Sequence, residues 1–159
     1  MMTAASYLAS ARRLISSDAT DVDIRRAVST VYYALFNHLC RHFSHVVVRT
    51  SDATYTRAWL QAYRYLDHKP ARDQCEKIER SNETQHLGFP SEIVRFAIAF
   101  KEMQQRRLNA DYNPAAQMTS LDAYSWILAA EQAIADFENA SPEHQRAFVL
   151  FIGLKPKAR

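Results

Sequence analysis

Glycine is nearly missing from this chain: Gly88 and Gly153 are the only two among 159 residues. Proline is sparse as well, with Pro114 alone between positions 91 and 141. A β-sandwich or barrel needs turn-forming residues every ~8–12 positions, so these shortages argue against both and leave an all-α reading. Cysteine is confined to Cys40 and Cys75, with no CxxC or other zinc spacing. Such lone thiols fit a reduced, cytoplasmic setting. No apolar run approaches the ~20 residues of a membrane span, and the first ten residues lack the charged region and long apolar core of a secretory signal. The expectation is a cytoplasmic protein with no membrane partner. Charge of one sign is also in short supply: 20 Lys and Arg against 17 Asp and Glu leave a formal +3. That balance permits a nucleic-acid partner without requiring one. A glycine-rich phosphate loop, a GxSxG elbow, an HExxH pair and the cysteine pair of a zinc deaminase are all absent, so no cofactor is implied.

What the chain does have is helical periodicity. Apolar residues recur at three- and four-residue steps through 3–16, 21–43, 54–67, 70–80, 91–109 or slightly beyond, 120–138 and 141–153. The pattern predicts an up-and-down bundle of four to five main helices with short accessory helices, as a single domain over 1–154. A basic tail, 155–159, follows. The stretch 44–53 reads as a connection, with Val46–Val48 as a possible extended piece, and 81–90 as the clearest loop. Thr20 before Asp21 and Asp23, and Ser141-Pro142-Glu143, are helix-start signals. In the sixth helix, Leu121, Tyr124, Ile127, Leu128, Glu131 and Ile134 carry the helical period.

Three constellations stand out. In the fifth helix, at about 100° per residue, Ile93, Ala97, Phe100, Gln104, Arg107 and Asp111 share one face, so Arg107 points inward while Arg106 points to solvent. A buried ion pair costs desolvation and needs a reason, structural or functional. Tyr112 adds a hydroxyl beside it. In the second helix, Arg26, Thr30, Tyr33, Asn37 and Arg41 line one side, opposite the core face of Val28, Tyr32, Leu35, Phe36, Leu39 and Phe43. This polar stripe is either the wall of a cleft for phosphate and base or an ordinary solvated face. Finally, His38, His42 and His45 fall within about 60° of one face, compatible in geometry with a metal site. Cys40 lies on the far side, and no carboxylate sits nearby in sequence to orient the imidazoles. They read as a border row of partly buried histidines, with no metal.

The segment Arg25-Arg26-Ala27-Val28-Ser29-Thr30-Val31-Tyr32-Tyr33-Ala34-Leu35-Phe36 resembles the R-x-A-x-x-x-x-Y-Y-A-x-F signature of HEPN-domain proteins (higher eukaryotes and prokaryotes nucleotide-binding). Arg107-Leu108-Asn109-Ala110-Asp111-Tyr112 is similar to the R-x-x-A-D-Y element of some prokaryotic branches, and 141–154 to their last helix. The resemblance implies a helical bundle that dimerises, and either a metal-independent endoribonuclease of toxin–antitoxin or defence type or a non-catalytic partner of a nucleotidyltransferase. It would make Arg107 the group that stabilises phosphate charge, oriented by Asp111. Tyr33, Asn37 and Tyr112 would line an RNA or nucleotide pocket, and Arg26, Thr30 and Arg41 would extend it. Catalytic members carry a histidine a few residues after the arginine. Here Tyr112, Asn113 and Pro114 occupy those places, so His38, beside the polar stripe, is the substitute to test for proton transfer.

Overall fold

The computed structural model describes residues 2–49, 56–82 and 87–154. Within them lie seven helices and no strand: α1 (Ala4–Leu14), α2 (Asp21–Val48), α3 (Arg57–Tyr63), α4 (His68–Asn82), α5 (Ser91–Tyr112), α6 (Ser120–Asn139) and α7 (Pro142–Gly153). The all-α bundle expected from the missing turn-formers is the fold found. No helix among the described residues is long and apolar enough to cross a membrane.

The long α2 organises the bundle. Thr20 caps it, accepting from the Asp23 amide while the Asp23 carboxylate accepts from the Thr20 amide; a cap of this type is worth ~1 kcal/mol. Helices α1, α3, α5, α6 and α7 all pack on α2, and its Ala27, Val28, Val31, Tyr32, Ala34, Leu35 and Leu39 are fully buried. Each large apolar side chain so enclosed contributes roughly 1.5–3 kcal/mol of transfer free energy. A single connected core runs through every helix, from Leu8 in α1 to Ile152 in α7. Cys40 and Cys75 are free, buried thiols inside it.

Three expectations are corrected. The second helix does not stop at Phe43: it continues through Val46–Val48, which are helical rather than extended, because Phe43 and Ser44 are still covered by neighbours. It ends where Arg49 adopts a left-handed conformation (φ 59°) and its amide bonds to the His45 carbonyl. The third helix is shorter than expected, opening at the Thr56 cap and ending at Tyr63. The fourth runs on through Ser81 and Asn82, which were expected in a loop. In α6 the helical period holds: Ala123, Ile127, Ala130, Ala133 and Phe137 face the core, and Leu121, Tyr124 and Leu128 are exposed. Small alanines let α6 approach α2 and α5 closely, and the larger side chains are left outside. The tail 155–159, with positions 50–55 and 83–86, lies outside the described residues.

Gly153 closes α7 against α2. A Cβ there would come within 2.2 Å of the Phe43 ring, itself buried. Gly153→Ala is expected to destabilise the fold by about 1–3 kcal/mol through overpacking, read as a lower urea midpoint with an unchanged slope.

Candidate functional site

Arg107 sits near the C-terminal end of α5, directed back toward α2. Its side chain retains 15% of its surface and that of Asp111 28%; Arg107 is partly buried, turned inward as the periodicity of α5 predicts, while Asp111 as a residue remains exposed at the rim. Its Nε lies 2.7 Å from Asp111 Oδ2, but the N–H does not point at that oxygen, so the contact is Coulombic rather than a hydrogen bond. Nη2 donates to the Tyr33 hydroxyl at 3.3 Å. The guanidinium carbon lies 6.0, 5.7 and 5.5 Å from the ring centroids of Tyr32, Tyr33 and Tyr112, so three aromatic faces surround the cation. Tyr112 itself is 69% exposed.

The end of α5 is locked to α2 by two further residues. Ser29 donates to the Asp111 carboxylate. Arg25, paired with Asp21, donates to the carbonyls of Ala110 (3.0 Å), Asn113 (3.0 Å) and Ala116 (2.5 Å). A cation over the last carbonyls of a helix satisfies acceptors that have no partner within the helix and sits favourably in its dipole. Arg25 thus fixes where the chain turns after α5, and with it the placement of Asp111 and Tyr112.

A histidine also reaches this region, although it is not the one expected. His68, the first residue of α4, places Nδ1 2.6 Å from the Tyr32 hydroxyl. Its ring lies 4.0 Å from Phe36 between centroids and meets Tyr33 edge-on. Burial, and then the charge of Arg107, hold its pKa below the ordinary histidine value, against a smaller opposing pull from Asp67. Burial raises the pKa of Tyr32, so the phenol stays protonated and shares a hydrogen bond with the imidazole whose direction is set by the tautomer of His68.

The other expected residues divide among different neighbours. His38 does not join Arg107: five residues beyond Tyr33, it is turned about 140° around the helix. It is buried beside Phe96, Phe137 and His42, and its pKa is pushed down to about 3 by burial, then by His42 and Arg41. The polar stripe of α2 is not one cleft wall. Asn37 is buried and donates to Tyr63 of α3, and Arg41 lies over the Trp59 ring; α3 covers that half. Arg26 is exposed, and the Thr30 hydroxyl donates back to the Arg26 carbonyl at 2.7 Å. Tyr33 alone of the five touches Arg107. Nor is Arg106 free in solvent: it stacks 5.0 Å from the Trp126 centroid and pairs with Glu102.

Arg25, Ser29, Tyr32 and His68 were thus missed as site residues. Arg25 and Tyr32 lie inside the HEPN-like segment, where a signal existed. His68 gave none, because its partner Tyr32 is 36 positions away.

Native His68 takes up its proton at a lower pH than an unfolded histidine, which does so near pH ~6.5. Below that value the unfolded chain binds more protons, so this contribution is intact above pH ~6.5 and is lost as pH falls toward the lowered native pKa. The groups facing His68 are Tyr32 and Tyr33 of α2, Arg107 of α5 and the neighbouring Asp67. Urea unfolding at about pH 7.5 and about pH 5 should show a smaller acid loss of stability in His68→Gln than in the wild type.

No family model matches the chain, and no match was found among curated proteins or solved structures.

Proposed function

We propose that this protein is a HEPN-like module that binds RNA or a nucleotide at the α2–α5 site, with Arg107 as the phosphate-binding group. The observation that carries the reading is the Arg107 guanidinium enclosed by Tyr32, Tyr33 and Tyr112 and set by Asp111. Arginine offers a planar fork of donors suited to phosphate oxygens. The exposed Tyr112 ring is a platform on which an unpaired base can stack. Asp111 and Ser29 orient these groups and do not themselves contact a ligand.

In the enzymatic form of this reading, the protein is a metal-independent endoribonuclease of toxin or defence type. A base takes the proton of the RNA 2′-hydroxyl, the resulting oxygen attacks the adjacent phosphorus, and the 5′-oxygen of the next nucleotide leaves with a proton, giving a cyclic phosphate. Arg107 stabilises the charge that builds on the non-bridging oxygens. His68 replaces His38 as the proton-transfer group: it is neutral at pH 7 and lies against the same tyrosines as Arg107. The resemblance further implies a homodimer, in which a second copy completes each cleft, and a nucleotidyltransferase-type antitoxin as partner.

A second reading is favoured by a specific observation. Arg107 is already engaged by Asp111 and Tyr33, and no histidine stands four to six residues after it, where Asp111, Tyr112 and Asn113 are found. A non-catalytic nucleotide- or partner-binding module fits both facts.

The test is incubation of folded wild type, Arg107→Ala and His68→Gln with end-labelled total RNA in excess EDTA. The enzymatic reading expects cleavage by the wild type, with cyclic-phosphate ends, and a loss of about 100-fold or more in Arg107→Ala. Equal cutting by all three, or none by any, overturns it in favour of the non-catalytic reading, which then expects nucleotide binding that Arg107→Ala weakens. Size-exclusion chromatography with light scattering should give a mass of two chains.

A further inference from the structure

On the side of α2 turned toward α6, three metal-ligating groups converge. His38 and His42 stand one helical turn apart on α2, and Glu138 comes from the last turn of α6. Their ligand atoms all lie within 4.8 Å of one another. Glu138 Oε1 is 3.2 Å from His38 Nε2 and 3.1 Å from His42 Nε2. In a tetrahedral zinc site with bonds near ~2.0–2.1 Å, neighbouring donors stand ~3.3 Å apart. The observed separations are therefore already close to those of two ligand pairs around one ion.

The hydrogen bonding is incomplete in a way that fits a cation. His42 Nε2 shares a hydrogen bond with Glu138, but His38 Nε2 is buried with no hydrogen-bond partner despite its closeness to the same carboxylate oxygen. A buried imidazole nitrogen without a partner is costly, and a metal ion between it and the carboxylate removes that cost. The carboxylate that sequence proximity did not offer is supplied through the packing of α6 on α2.

We infer that His38, His42 and Glu138 form a binding site for a divalent transition-metal ion, zinc foremost. Two imidazoles and one carboxylate are borderline donors that suit zinc over magnesium or calcium, which prefer all-oxygen shells. Three protein ligands leave a tetrahedral ion one further position. Beside the cluster is a cavity of about 370 Å³, also lined by Thr3, Ala4, Arg41 and Ile134, through which solvent or a small anion reaches that position. Arg41 opposes a cation Coulombically, although its guanidinium lies over the Trp59 ring. The site is separate from Arg107 and independent of the proposed RNA chemistry.

The experiment uses the full chain without an affinity tag, stripped with EDTA and dialysed, then titrated with ZnCl₂ in a calorimeter. The expected result is one equivalent of zinc per chain and a raised melting temperature. Loss of an outer-shell partner already weakens metal sites 10–100-fold, so His42→Gln and Glu138→Gln should each weaken binding by at least about 10-fold. Both positions retain solvent exposure, and a wild-type circular dichroism spectrum and cooperative unfolding identify folded variants. Cobalt(II) in the wild type should give the intense visible absorption of a four-coordinate ion, lost in both variants. Absence of zinc binding, binding undiminished in both folded variants, or the pale spectrum of six-coordinate cobalt overturns the assignment. If either variant fails to fold, the retained alternative is His42→Ala, with the same expected loss and the same contrary outcome.

Discussion

A helix packed against by five others must find partners for the polar groups it buries, and that constraint shapes most of this molecule. Helix α2 is contacted by α1, α3, α5, α6 and α7, and many of its polar side chains find partners on other elements. Arg25 takes the carbonyls that follow α5. Ser29 holds Asp111, Tyr32 shares a hydrogen bond with His68 and Tyr33 accepts from Arg107. Asn37 donates to Tyr63, and His42 shares a bond with Glu138. Each contact spares a partly or fully buried polar group the ~1–3 kcal/mol penalty of going unmet. Together they set the register of α3, α4, α5 and α6 against α2 more specifically than apolar packing alone.

The same constraint explains why chemistry gathers around α2 in two unlike places. Toward α5 the partners are a cation, a carboxylate and aromatic hydroxyls, an environment suited to an anionic guest. Toward α6 they are imidazoles and a carboxylate, suited to a cationic one. The two sets are separated by the body of the helix, and Tyr33 and His38 lie five positions apart yet face different neighbours. Between α5 and α6 the Arg95–Asp136 pair, joined by two hydrogen bonds of 2.9 and 3.0 Å, adds a directional link. That link holds the carboxyl of Asp136 below its ordinary value.

Local pattern carried the fold well. The helical class, the starts of α2, α5, α6 and α7, and the inward turn of Arg107 all follow from periodicity and capping, which act over a few residues. Pairings across the bundle were illegible. Sequence spacing placed Asn37 and Arg41 beside Tyr33 but said nothing of α3, which covers them. It offered His38 for proton transfer because that residue borders the stripe, whereas His68 reaches Tyr32 from a separate helix. Glu138 lies 96 residues from His42, beyond any local rule. The period of α6 was legible but its buried face was not, because Ala123, Ala130 and Ala133 face the core while Leu121, Tyr124 and Leu128 stay exposed.

The two thiols, described above as part of the core, have a use beyond packing. Burial pushes the Cys40 thiol up to about 12 and raises that of Cys75 as well, so neither presents a thiolate to solvent in the native state. One stands in α2 and the other in α4. A thiol reagent consequently reaches each only when its own helix opens, and the two alkylation rates act as separate clocks. Their ratio tells whether α4, which carries His68, comes away from the bundle while α2 stays in place.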